Sequence, residues 1–88
     1  MKIKEGFVLR KVANQAIVIA VGKASESFKG MIKMNQTSKD IWNYIQNGVD
    51  VEDIVLEKKK KYDVDETVIR KDVLYIISVL RENNILED

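Results

Sequence analysis

Residues 30–42 have the sequence GMIKMNQTSKDIW, and within them the chain changes from strand to helix. After a polar loop, Met31–Met34 predict a short strand. Thr37 is a candidate N-cap for a helix over about residues 38–47, because Asp40 follows it at the spacing of a capping box. The stretch therefore separates an N-terminal sheet from a C-terminal helical part.

Two further strands are predicted on the N-terminal side. Phe7–Val12 mixes aromatic and β-branched residues with basic ones, which is typical of a half-buried strand. Residues 16–21 are apolar on both faces, and Gly22 ends the run before it is long enough for a helix. With Asn14 in the short connector, the two segments predict a β-hairpin.

Two helices are predicted directly after the third strand. The first has an apolar face made of Ile41, Trp42, Tyr44 and Ile45. The second spans about residues 51–62, with Asp50 as its cap and a buried stripe of Val51, Ile54, Val55 and Tyr62.

The third helix spans about residues 66–83, and Asp65 caps it. Asn residues at 83 and 84 suit its C-terminal end, since Asn tolerates the left-handed conformation. The chain is then expected to return to the core through Ile85 and Leu86. The order of elements predicts an α+β fold with three antiparallel strands followed by three helices.

Composition limits the function. The chain has 88 residues, which fits a single domain over residues 1–88, and a net charge of +1. It contains no Cys and no His, so the usual nucleophiles, general bases and metal ligands are missing. We therefore expect no enzyme activity and no cofactor. No apolar run is long enough for a membrane span, and the absence of Cys is compatible with the cytoplasm.

Two charged clusters have simple structural explanations. Asp50, Glu52 and Asp53 open a helix, where acidic groups stabilise the helix dipole. Residues 58–61 are four lysines, which sweep most of the way round a helix and are expected to form a solvated patch. The stem of Lys58 is expected to lie along the core with its ammonium group in solvent.

The third helix carries more apolar surface than one buried face requires. Its core stripe contains Ile69, Val73, Ile76, Ile77 and Leu80, and a second apolar line contains Val68, Leu74, Tyr75 and Val79. Either the helix is sandwiched inside the domain, or the second line faces a groove.

The third strand has an equivalent ambiguity. Because it is short and follows a loop, it is expected at the edge of the sheet, where backbone groups are unpaired. Such an edge can accept an extended peptide as an added strand, although it can also be solvated or used for dimerisation. A monomer and a homodimer both remain open.

The ordered set of motifs resembles the PqqD family. In that family a short strand and an Asn lead into a helix with an Ile-Trp pair, as in residues 30–42. Residues 48–54 resemble the turn and acidic helix start that follow, and residues 62–64 and the tail through Ile85 and Leu86 also match. The resemblance extends from residue 7 to residue 87.

The resemblance implies a fold like a winged helix-turn-helix and a non-catalytic role. It implies binding of the leader segment of a ribosomally made precursor peptide, which a partner enzyme modifies, often a radical-SAM maturase. The leader pairs with the third strand and packs on the third helix. This implicates as peptide-binding residues Met31, Ile32, Lys33, Met34, Val68, Lys71, Asp72, Tyr75 and Val79. Lys33 and Lys71 favour an acidic leader.

The alternative is a winged-helix DNA-binding protein, because a fold does not fix a function. The third helix would then enter the major groove with Arg70, Lys71 and Arg81. Its apolar middle is poorly suited to base edges and phosphates, so nucleic acid is the less favoured partner.

Overall fold

The computed structural model describes residues 1–87, and it has the predicted α+β architecture. The strands are β1 (Lys2–Ile3), β2 (Phe7–Val12), β3 (Gln15–Ala20), β4 (Met31–Met34) and β5 (Leu86–Glu87). The helices are α1 (Gln36–Gln46), α2 (Val51–Lys61) and α3 (Glu66–Glu82), with a short 3-10 helix at Gly22–Glu26 in the loop before β4. Three antiparallel strands followed by three helices are thus confirmed, in an arrangement consistent with a winged helix-turn-helix.

The β2–β3 hairpin turns on two residues, Ala13 and Asn14. Both have positive φ, at 48° and 67°, which is the backbone of a type I′ turn. This turn matches the twist of the flanking strands and sets the register Val12↔Gln15. The second strand consequently begins one residue earlier than predicted.

The main sheet has the order β2-β3-β4, so β4 lies at one edge. It pairs antiparallel with β3 from Ala16↔Met34 to Ile19↔Met31. The predicted edge position of this strand is confirmed, and within residues 1–87 the opposite side of β4 pairs with no other strand.

The core lies between the sheet and the helices. Its largest fully buried side chains include Trp42, Ile41, Ile45, Ile54, Leu80 and Ile85. The predicted return of Ile85 and Leu86 to the core is confirmed. That return also forms a second, two-stranded sheet in which Ile3 of β1 pairs with Leu86 of β5.

Two details of the helices differ from prediction. Helix α1 starts at Gln36, and its cap is Asn35 instead of Thr37; the Asn35 Oδ1 accepts a hydrogen bond of 2.8 Å from the Ser38 backbone N–H. Tyr62 does not belong to the buried stripe of α2. It has extended backbone angles just after the helix, and its side chain is 45% exposed.

The environment of Lys58 also differs from prediction. Its side chain is only 7% exposed, and its Nζ lies 3.7 Å from Asp40 Oδ2. The ammonium group is therefore paired against α1 and does not extend into open solvent. None of the helices within residues 1–87 is both long enough and apolar enough to cross a membrane.

Candidate functional site

A groove of about 460 Å³ runs between the edge strand β4 and the helix α3. Ile32, Lys33 and Met34 line it from the strand, and Tyr75, Ile76 and Val79 line it from the helix. The base is closed because Met34 and Ile76 are buried in the core, with 4% and 9% exposure. The walls are therefore anchored to the packed interior of the domain.

Strand β4 presents its side chains alternately to the two faces of the sheet. Ile32 and Met34 point toward the helices and are half-buried and buried, whereas Met31 and Lys33 are exposed. Alternate backbone N–H and C=O groups of an edge strand point away from the sheet. The groove thus combines an apolar wall with unpaired backbone groups.

Helix α3 has one buried face and one exposed apolar face. The predicted core stripe is buried, from Ile69 to Leu80. In the second line, Tyr75 is 66% exposed, Val68 and Leu74 are each 49% exposed, and Val79 is half-buried. Of the two interpretations of this helix, the sandwiched one is wrong, since the second line remains at the surface.

The structure brings most of the predicted peptide-binding residues together. The groove contains Ile32, Lys33, Met34, Tyr75 and Val79. A smaller adjoining depression of about 290 Å³ contains Asp72 and shares Tyr75 with the groove. Outside both depressions lie Met31, Val68 and Lys71.

The groove also contains residues that the sequence analysis did not identify. Gln15 reaches it from the hairpin, and its Nε2 donates a hydrogen bond of 3.3 Å to the Met34 backbone oxygen. Asn35 and Ser38 line it at the N-terminus of α1, where the Asn35 side chain caps the helix. The preference of Asn for helix N-caps was the available signal for Asn35.

Arg70 of α3 is held in ion pairs with two glutamates. Arg70 donates hydrogen bonds of 2.6 and 3.0 Å to the Glu52 carboxylate, and its Nη2 lies 3.7 Å from Glu66 Oε1. The hydrogen bond and the positive charge of Arg70 lower the pKa of Glu52. Arg70 is thus committed to an α2–α3 bridge instead of being free for a phosphate.

Across residues 1–87, no group of acidic side chains is arranged to hold a metal ion. The groove offers backbone amides and apolar surface, and Lys33 is the one charged residue in its lining. These are means of binding an extended chain.

Comparison with known proteins agrees with the fold. The sequence model of the family described as coenzyme PQQ synthesis protein D (PqqD) matches residues 16–86. Comparison with curated proteins by sequence finds no match.

Two solved structures share the architecture over nearly the whole chain. One is described as "TbiB1 in Complex with the TbiA(beta) Leader Peptide", with a TM-score of 0.79 and 20% identity, covering 99% of this chain and 95% of that one. The other is described as "Lasso peptide synthetase B1 complexed with the leader peptide", with a TM-score of 0.80 and 15% identity, covering 99% and 96%. At these identities the likeness shows a shared fold.

Proposed function

The chain belongs to the PqqD family, and from that premise we propose that it binds the leader segment of a ribosomally made precursor peptide without catalysing a reaction. In this proposal the protein presents the leader to a modifying enzyme, which we propose to be a radical-SAM maturase. This role operates in the cytoplasm, where such a precursor is made.

The observation that carries the proposal is the open edge of β4 next to the apolar face of α3. A peptide that pairs with this edge adds a further strand to the sheet, and its backbone hydrogen bonds give affinity with little sequence preference. Every second side chain of the added strand then points toward the helices. In this proposal those side chains contact Ile32, Tyr75 and Val79, which line the groove.

The other predicted peptide-binding residues have secondary roles in the proposed binding of the leader. Met34 closes the base of the groove, and Lys33 contributes its backbone to the edge and a positive charge on the outer face of β4. Asp72 extends the wall along α3. Met31 belongs to the paired edge at the start of β4, whereas Val68 and Lys71 contact only a peptide that extends beyond the groove along α3.

The two similar solved structures support the proposal by analogy. Each is described as a complex with a leader peptide, and each has the same fold as this chain. The analogy concerns the class of ligand, because low identity does not carry over side-chain specificity.

The test starts from the genes that neighbour this one: any short precursor peptide that sequencing finds there is synthesised as a fluorescent leader and titrated with this protein. We expect saturable binding with a much weaker salt dependence than duplex DNA binding shows, since backbone pairing and apolar contacts supply most of the affinity. Duplex DNA is titrated in parallel. Tight binding to DNA with a steep salt dependence, and none to the leader, would replace our proposal with the DNA-binding alternative.

A further inference from the structure

A second depression, of about 500 Å³, lies at the hairpin end of the sheet. It shares Gln15, Met34 and Asn35 with the groove, so the two depressions adjoin. Across the sheet, Lys11 of β2 pairs with Ala16 of β3, which pairs with Met34 of β4. Lys11 therefore lies two strands away from β4, on the face of the sheet that carries the groove. The depression is therefore a lateral continuation of the groove past the end of β4.

The chemistry of the second depression differs sharply from that of the groove. Its lining includes three cationic residues, Arg10 and Lys11 from β2 and Lys39 from α1, and no acidic one. Lys11 lies on the groove face, whereas Arg10 belongs to the row Arg10–Ile17–Lys33 on the opposite face. Within residues 1–87, none of these cations forms an ion pair. The neighbouring Asp40 is already engaged, with Lys58 and with a hydrogen bond of 2.8 Å from Gln36.

A cluster of like charges without a counterion is unfavourable to folding, and an anion that enters it relieves the repulsion. The adjoining groove indicates where that anion comes from. Because the two depressions share Gln15, Met34 and Asn35, a chain bound along β4 can reach the basic depression by continuing past Met34.

We propose that this depression binds, through Lys11 and Lys39, a carboxylate side chain of the same peptide, placed just beyond the apolar segment that fills the groove. The inference rests on the proposed function and deepens it. It defines the ligand class as a peptide with an apolar segment bounded on one side by Asp or Glu.

A selection from short random peptides displayed on their own mRNA tests this inference without a known ligand. We expect the wild-type protein to enrich peptides with Asp or Glu at one end of an apolar segment. The Lys11→Glu/Lys39→Glu variant should lose that enrichment and favour Lys or Arg there. Lys23→Glu, a single reversal in the exposed 3-10 helix, is the control and should select like wild type.

A double-mutant cycle then measures the coupling. For a selected acidic peptide, Lys11→Glu/Lys39→Glu should lower the affinity about tenfold, less so at high salt. The same peptide with its carboxylate changed to the amide should bind both proteins alike. Enriched peptides that need Tyr75 but carry no acidic preference would overturn this inference alone. If no enriched peptide loses binding to Tyr75→Glu, the proposed function itself fails.

Discussion

Lys58 and Asp40 form an interhelical pair, with 3.7 Å between Nζ and Oδ2. The Lys58 side chain is 7% exposed and the Asp40 side chain 27%. The same ammonium group lies 5.1 Å from the centre of the Tyr62 ring. One member of the lysine run is thereby taken out of solvent and used to join α2 to α1.

Asp40→Asn is expected to destabilise the domain, because it leaves the buried Lys58 charge without its carboxylate. Breaking a buried ion pair costs several kcal/mol of stability. Here we expect a loss of about 2 kcal/mol, because Asp40 is partly exposed and because the Tyr62 ring continues to stabilise the Lys58 charge. Urea denaturation measures the difference. The Asp40→Asn/Lys58→Met double variant should recover most of it, since no unpaired charge remains. Equal stability of wild type and Asp40→Asn would show that the pair contributes nothing.

Tyr75→Glu and Val79→Asp are each expected to weaken leader binding about tenfold or more, because each places a charge in the apolar wall of the groove. Fluorescence anisotropy measures affinity, and far-UV circular dichroism should show unchanged helix content. Leu74→Glu, on the same helix but outside the groove, is the matched control and should bind normally. If both groove variants unfold, those residues belong to the core and the groove assignment is wrong.

Lys59→Glu is expected to leave leader binding within about twofold of wild type. Lys59 lies on α2, away from the groove, and its exposed ammonium group donates a hydrogen bond of 2.9 Å to the Val64 carbonyl oxygen. The same titration measures the effect. A large loss of affinity would move the binding site to α2.

The Glu52–Arg70 bridge is expected to make stability depend on pH in the acid range. Arg70 lowers the pKa of Glu52 below its ordinary value of 4.5. At acid pH the Glu52 carboxylate therefore binds fewer protons in the folded state than in the unfolded state. The stabilisation of the folded state by this bridge is complete above pH 4.5, and it is lost as the pH falls through the lowered pKa. Urea midpoints of wild type and Arg70→Met should differ at neutral pH and converge in acid. A difference that persists in acid would assign the effect of Arg70 to packing.

Most of the fold follows from local sequence signals. Alternation and β-branched residues mark Phe7–Val12, and Asp50 and Asp65 lie where α2 and α3 begin. Strands β1 and β5 could not be predicted, because each has only two residues and so shows no hydrophobic periodicity. Their pairing depends on the chain ends meeting across the core, which is a tertiary event.

The candidate site was predictable only in part. The second apolar line of α3 is visible as excess hydrophobicity, but periodicity does not reveal whether Tyr75 faces a groove or a neighbouring element. The position of Gln15 in the groove could not be predicted, because its hydrogen bond to Met34 joins two strands that are distant in sequence. The pairing of Lys58 depends on Asp40 from another helix, which a helical pattern cannot specify.

The central claim is that a guest peptide adds to the free edge of β4. Amide hydrogen exchange followed by NMR, with and without bound leader, tests it most directly, because a new strand protects the outward N–H groups of β4. We predict slower exchange at alternate residues of Met31–Met34, together with shifted side-chain signals of Tyr75 and Val79. Saturating leader with unchanged exchange throughout β4 would contradict the claim.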